Sequence, residues 1–215
     1  VTSNVQAQEY GVSVAYQLLD AQEWNKSIQT YNFSRPFLKE RQPLLRHGFK
    51  LGAYYLFKSQ HNLSLGVATS VSLNKSLAEN DNFETGINSF LLDLGMKVQY
   101  RSKQEKLNPF YVSITPSLVF ASIARKLNGE IIVVENDDEE NLLRKRGLGF
   151  GLALQVGYDF SLSDKFILSP MIGMNYIPIV AIDESEVVFN EASVGDLNSN
   201  TSVLSFQGGF IIKKK

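Results

Sequence analysis

The segment Gly147 to Phe160, GLGFGLALQVGYDF, alternates without a break over its fourteen positions. Leu148, Phe150, Leu152, Leu154, Val156, Tyr158 and Phe160 share one face, and Gly147, Gly149, Gly151, Ala153, Gln155, Gly157 and Asp159 share the other. Successive side chains of a strand point to opposite sides, so a period of two over this length is one β-strand with an oily face and a face of small or polar groups. A soluble barrel turns its apolar face inward and shows water a face rich in Lys and Glu. Glycine and alanine suit instead the crowded interior of a narrow barrel. The oily face is then the one that meets lipid.

Seven further segments alternate in the same way: Tyr10 to Leu18, Leu45 to Phe57, Leu63 to Leu73, Phe90 to Tyr100, Phe110 to Phe120, Phe166 to Tyr176, and about Val203 to Ile212. The connections run long, short, long, short, long, short, long, with 19–44, 74–87, 123–145 and 178–201 as the long ones. Long loops at one rim and tight turns at the other are the layout of an outer-membrane barrel, and an even count returns both termini to the short-turn, periplasmic side. The expected fold is all-β: an eight-stranded antiparallel up-and-down transmembrane β-barrel, one domain over residues 9–215. Residues 1–8 read either as a polar lead-in or as a signal-peptide remnant, since Val5-Gln6-Ala7 has the small-x-small form of a cleavage site.

Aromatic residues on the oily face fall at two heights. Toward the short turns lie Tyr10, Tyr55, Phe57, Tyr100, Phe110, Tyr158, Phe160, Phe166 and Phe210, and toward the long loops Tyr16, Phe49, Phe90, Phe120, Phe150, Tyr176 and Phe206. Phe90 and Tyr100, Phe110 and Phe120, Phe150 and Phe160, and Phe166 and Tyr176 are each ten residues apart. Ten residues at ~3.3 Å each, tilted by ~40°, climb roughly 25 Å, the height of the apolar band of such barrels. These are the expected girdles at two membrane interfaces.

The pattern resembles the small eight-stranded outer-membrane barrels of the OmpA/OmpX type, and the porin-family outer-membrane β-barrel domain common in Bacteroidota. The resemblance covers about residues 8–215 and rests on alternation, loop layout and girdles rather than on a motif. It implies an integral protein of a Gram-negative outer membrane, in contact with outer-membrane lipid and lipopolysaccharide and with other envelope proteins. The chain departs from many such barrels in that its last aromatic, Phe210, is followed by Ile211-Ile212-Lys213-Lys214-Lys215.

Inward charges are few: Arg46, Lys50, Asp93, Lys97 and Asp159, with Gln17, Gln99, Gln155, Asn175 and Gln207 as polar company. Charges in a low-dielectric interior must be paired. Lys50 and Asp93 lie at similar depth, with small inward residues of the intervening strand leaving room between them. An ion-paired plug of Lys50, Asp93 and Lys97, extended by Arg46, is expected to fill the lumen. Pro116 and Pro170 sit mid-strand, where a missing N–H breaks a ladder bond, so local bulges are expected there.

Chemistry is sparse. The formal net charge of −1 gives no basis for binding nucleic acid, and the absence of cysteine excludes disulfides and Cys-ligated zinc. Of the two histidines, His61 lies in a short turn and His47 on the oily face near the outer end of its strand, with no Ser and acid placed beside it. The run Glu135-Asn136-Asp137-Asp138-Glu139-Glu140 lacks the spacing of a calcium loop and reads as a solvated charge run. No cofactor is expected. The apolar stretch Ile131, Ile132, Val133 and Val134, with Trp24 and Tyr31 of the first loop, is the expected protein-contact surface. The leading reading is a non-enzymatic barrel with a plugged lumen, serving as an accessory subunit or a surface-interaction protein. A small-solute or ion pore is the second reading, and a lipid-modifying enzyme the third.

Overall fold

The computed structural model describes residues 9–34, 41–58, 62–80, 83–102, 110–129, 142–182 and 200–214. The strands are β1 (Glu9–Ala21), β2 (His47–Lys58), β3 (Leu63–Asn80), β4 (Phe83–Arg101), β5 (Phe110–Gly129), β6 (Leu142–Tyr158), β7 (Phe160–Ser161), β8 (Phe166–Ile182) and β9 (Asn200–Lys214). Chain neighbours pair antiparallel, except β6 and β7, which both pair with β8. β1 pairs with β9 and β6 with β8, which closes the sheet on itself. The two-residue β7 continues the line of β6 in the same register against β8, with Asp159 as the break between them. The barrel therefore has eight walls.

The alternation sets which face is which. From Leu148 to Phe160 the even-numbered residues are exposed, while Gly149, Gly151, Gly157 and Asp159 are buried. Of the sixteen girdle aromatics, fourteen are exposed on the outside, and Tyr55 and Phe110 are half-buried against Phe57 and Tyr158. A continuous exposed apolar surface of this extent is compatible with lipid and not with water.

Several strands outrun their expected ends on the loop side. The stretch 74–87 is mostly a β3–β4 ladder that continues to Asn80 opposite Phe83, so its connection is only residues 81–82. β5 and β8 likewise run on to Gly129 and Ile182. Polar residues hide the β3–β4 extension, because beyond the lipid the outward face no longer has to be apolar, whereas the β8 extension Ile177–Ile182 is apolar and interrupted by Pro178.

The first long connection differs more. Residues Gln22–Ser34 form a helix, α1, rather than a loop. Its apolar Trp24 and Ile28, one turn apart, are fully buried on one side. Glu23 is acidic in the first turn, where the helix dipole favours it. The chain after the helix is held by Asn25, whose Oδ1 accepts the Leu45 N–H at 2.8 Å, and by Asn32, whose Oδ1 accepts the Gln42 N–H at 2.9 Å. Leu45, expected on the lipid face, consequently turns inward and is fully buried, and β2 begins only at His47.

The expected bulges at Pro116 and Pro170 are not found. β5 keeps its register through Pro116 on both sides and only loses pairing opposite Met96 and Lys97, and Pro170 pairs with Phe210 in register. The register shifts fall between Ile177 and Val180 on β8 and between Gly149 and Leu152 on β6. The segment on β8 contains Pro178, whose missing N–H sits in the longer strand just beyond the expected one.

Candidate functional site

Among the described residues the lumen is where the fold collects polar chemistry, and it is built in three layers. At the loop end, Trp24 and Ile28 of α1 pack with Leu45 against inward residues from around the wall: Leu19 and Ala21 of β1, Ile87 and Leu91 of β4, Val119, Ala121 and Ile123 of β5, Ile177 of β8 and Val203 of β9. This apolar cork fills the mouth. Beneath it Gln17 Nε2 donates to Asn74 Oδ1 at 2.6 Å, and Asn74 Nδ2 donates to Ser89 Oγ at 3.0 Å.

The middle layer carries the expected charges. Lys50 Nζ lies 2.9 Å from Asp93 Oδ2, and Ser70 Oγ of the intervening strand donates to the same oxygen at 2.7 Å. Lys97 is brought into the same layer but not into that pair. Its ammonium donates to Gln155 Oε1 at 2.8 Å and lies 4.7 Å from the centre of the Tyr54 ring. A cavity of about 50 Å³ opens between these groups, lined also by Gly95, Asn175 and Gln207. Arg46 takes no part: it precedes β2, is exposed, and contributes only its carbonyl oxygen, which accepts the Leu19 N–H.

The turn end is closed by ions. Arg101 Nη2 lies 2.6 Å from Glu9 Oε2, and Arg101 Nε lies 3.1 Å from Asp159 Oδ2. Lys213 Nζ and Ser169 Oγ each lie 2.5 Å from Asp159 Oδ1. Tyr54 donates its hydroxyl to Glu9 Oε1 at 3.0 Å, and Lys213 stands 3.8 Å over the Tyr111 ring. Two carboxylates and two cations from β1, β4, β9 and the β6–β7 break thus neutralise one another. Asp159 belongs to this cluster and not to the Lys50–Asp93 pair. Glu9, Arg101 and Lys213 were not among the expected inward charges, although each extends an inward series by one step: Gly11 to Glu9, Gln99 to Arg101, and Ile211 to Lys213.

Both tyrosines lie over glycines directly across the ladder, Tyr54 over Gly11 and Tyr111 over Gly157. A Cβ at Gly157 would stand 2.4 Å from the Tyr111 hydroxyl, and one at Gly11 2.6 Å from the Tyr54 ring. The inward glycine at 157 therefore clears a tyrosine of β5, not the lysines of β2 and β4.

The residues expected to meet a partner fare differently. Trp24 is not available, because it is the centre of the cork. Tyr31 lies within α1, and Ile131, Ile132, Val133 and Val134, like the acidic run 135–140 and His61, lie outside the described residues. His47 is exposed on the outer wall, where its Nδ1 is 2.6 Å from the Tyr16 hydroxyl and its ring stacks on that of Tyr16. Among the described residues no group of three or more His, Cys, Asp or Glu could hold a metal ion.

An apolar wall, alternating strands and a closed ladder define the class: an eight-stranded transmembrane β-barrel. The chain is similar to the structure of Neisserial surface protein A (NspA), with 13% identity over 97% of this chain and 96% of that one and a TM-score of 0.56. Lower scores relate it to the outer membrane protein OprG from Pseudomonas aeruginosa (11% identity, 97% and 96% covered, TM-score 0.46) and to the outer membrane protease OmpT from Escherichia coli (7% identity, 98% and 97% covered, TM-score 0.49). At these identities the likeness is one of fold. No family model and no curated protein matches the sequence.

Proposed function

We propose that the protein is an integral barrel of a Gram-negative outer membrane, of the porin-family kind found in Bacteroidota, with both termini and the short turns on the periplasmic side. It works by contact rather than by conduction or catalysis, as an accessory subunit of an envelope assembly or as a surface-interaction protein. The observation that carries this reading is the double closure of the lumen, apolar at the loop end and ionic at the turn end. An eight-stranded barrel has little interior to begin with, and here α1 and the Glu9–Arg101–Asp159–Lys213 cluster occupy its two mouths. The pore reading needs a continuous path between them. The lipid-enzyme reading needs a base with a nucleophile, and among the described residues the side chain of His47 hydrogen-bonds to Tyr16.

Lipid and lipopolysaccharide then meet the girdled wall, and envelope proteins meet the loop end. Phe33, near the end of α1 and 89% exposed, replaces Trp24 as the apolar contact there. Reconstitution into planar bilayers tests the reading: the expected result is no steady conductance, and stable single channels would overturn it. A mild-detergent pull-down from native membranes tests the contact role, with Phe33→Asp expected to lower recovery of a stoichiometric partner.

A further inference from the structure

Among the described residues the interior charges balance in pairs except for one. Lys50 has Asp93 at 2.9 Å, Lys213 has Asp159 at 2.5 Å, and Arg101 has Glu9 at 2.6 Å. Both oxygens of Glu9 are taken, one by Arg101 and one by the Tyr54 hydroxyl. Lys97, 2% exposed, is within salt-bridge distance of no carboxylate among the described residues, and has only an amide oxygen and the face of the Tyr54 ring. An isolated ammonium in a barrel interior either takes a counter-charge or gives up its proton.

The missing charge has a place to sit. The mid-barrel cavity is lined by both Lys97 and Lys50, and its volume of about 50 Å³ compares with roughly 10–15 Å³ for one water on the same measure. Gln207, 4% exposed, lines the cavity with neither its amide nitrogen nor its amide oxygen hydrogen-bonded. Gly173 brings Gln155 and Gln207 together, since a Cβ there would touch both side chains. The site thus offers a lysine amine without a carboxylate partner and a spare N–H donor beside a space larger than one water. The acceptors Asp93 Oδ1 and Asn175 Oδ1, also without partners, call for accompanying water.

We propose that this cavity holds one small monovalent anion, of halide size, bound by Lys97 and Gln207 with water between it and Asp93. With α1 at one mouth and the Glu9–Arg101–Asp159–Lys213 cluster at the other, the ion enters most readily while the barrel folds.

The probe is bromide. Barrels refolded from urea in bromide, crystallised and measured at the bromine absorption edge, are expected to show an anomalous peak within hydrogen-bonding reach of Lys97 Nζ. Barrels folded first and soaked afterwards are expected to show a much weaker one. The peak should vanish in Lys97→Met, which keeps the volume of the side chain and so the fold, and weaken in Gln207→Leu. Refolding yield should rise with bromide at constant ionic strength in the native sequence and be independent of it in Lys97→Met. Water density alone beside Lys97, bromide only on the surface, or an unchanged peak in Lys97→Met would each overturn the proposal.

Discussion

Lys213 Nζ rests 2.5 Å from Asp159 Oδ1 with both side chains buried, so the end of the last strand is tied from the inside to the break between β6 and β7. The same carboxylate accepts Ser169 Oγ, the residue directly across the ladder, and faces Arg101 Nε with its other oxygen. Asp159 is therefore the anion on which the turn-end cluster converges. Breaking a buried pair by removing one partner costs about 3–5 kcal/mol, because the other charge is left behind. Asp159→Ala should lower the urea midpoint of the lipid-embedded barrel accordingly, followed by the loss of heat-modifiable migration on SDS gels. Asp159→Leu with Lys213→Met should recover most of it. An unchanged midpoint in the single variant would mean that the cluster does not hold the seam.

The Lys50–Asp93 pair makes a second, separable prediction. Both side chains are buried and Asp93 has two donors on one oxygen, so Asp93→Ala should destabilise by about 3–5 kcal/mol through an orphaned Lys50. Arg46→Ala is the control. It is exposed and does not line the cavity, so its effect should stay within about 0.5 kcal/mol. Equal losses in the two urea titrations would contradict the placement of Arg46.

A third prediction concerns the small face of β6. In Gly157→Ala the new methyl would stand 2.4 Å from the Tyr111 hydroxyl and 2.5 Å from its ring. The ring is rigid, fully buried and capped by Lys213. Overpacking of this kind costs about 1–3 kcal/mol. In a Tyr111→Ala background the same substitution should cost almost nothing, and a double-mutant cycle by urea unfolding measures the difference. Additive losses would show that Gly157 matters for some reason other than clearance.

How far the sequence could be read depended on whether lipid constrains the residue. From Leu148 to Phe160, or Phe90 to Tyr100, the outward side must be apolar and the inward side small, so faces and girdles are written in the composition. Outside that band the constraint lapses. Asn74 to Asn80 and Phe83 to Asn88 pair as strands without an apolar alternation, and α1 has only Trp24 and Ile28 to mark its buried side. The Lys50–Asp93 pair follows from inward facing and similar depth: the ladders set Lys50 against Ser72 and Asp93 against Ser70, two residues apart on β3 and within a lysine's reach. The turn-end cluster does not, because Glu9, Arg101 and Lys213 sit one residue past where the outward pattern stops, which leaves Asp159 without a visible partner in the alternation. Nothing in the alternation distinguishes Lys97, on the same inward row as Asp93, from a paired lysine; only the side-chain geometry shows its ammonium turned to Gln155 and Tyr54.

The two closures lie in series, which gives the last prediction. Trp24 fills the loop-end mouth against residues from β1, β4, β5, β8 and β9, and Trp24→Ala removes the largest side chain of that cork. It should cost about 3–5 kcal/mol in stability. It should not by itself produce conductance, since Arg101 still bridges Glu9 and Asp159 at the other end. Arg101→Ser alone should also be silent, because the apolar cork remains. Together they leave only the middle polar layer and its cavity in the path, and small-ion conductance in planar bilayers should rise well above the product of the two single effects. Steady channels in Trp24→Ala alone would mean that the ionic cluster is no seal, and a silent double variant would move the barrier to the Lys50–Asp93 layer.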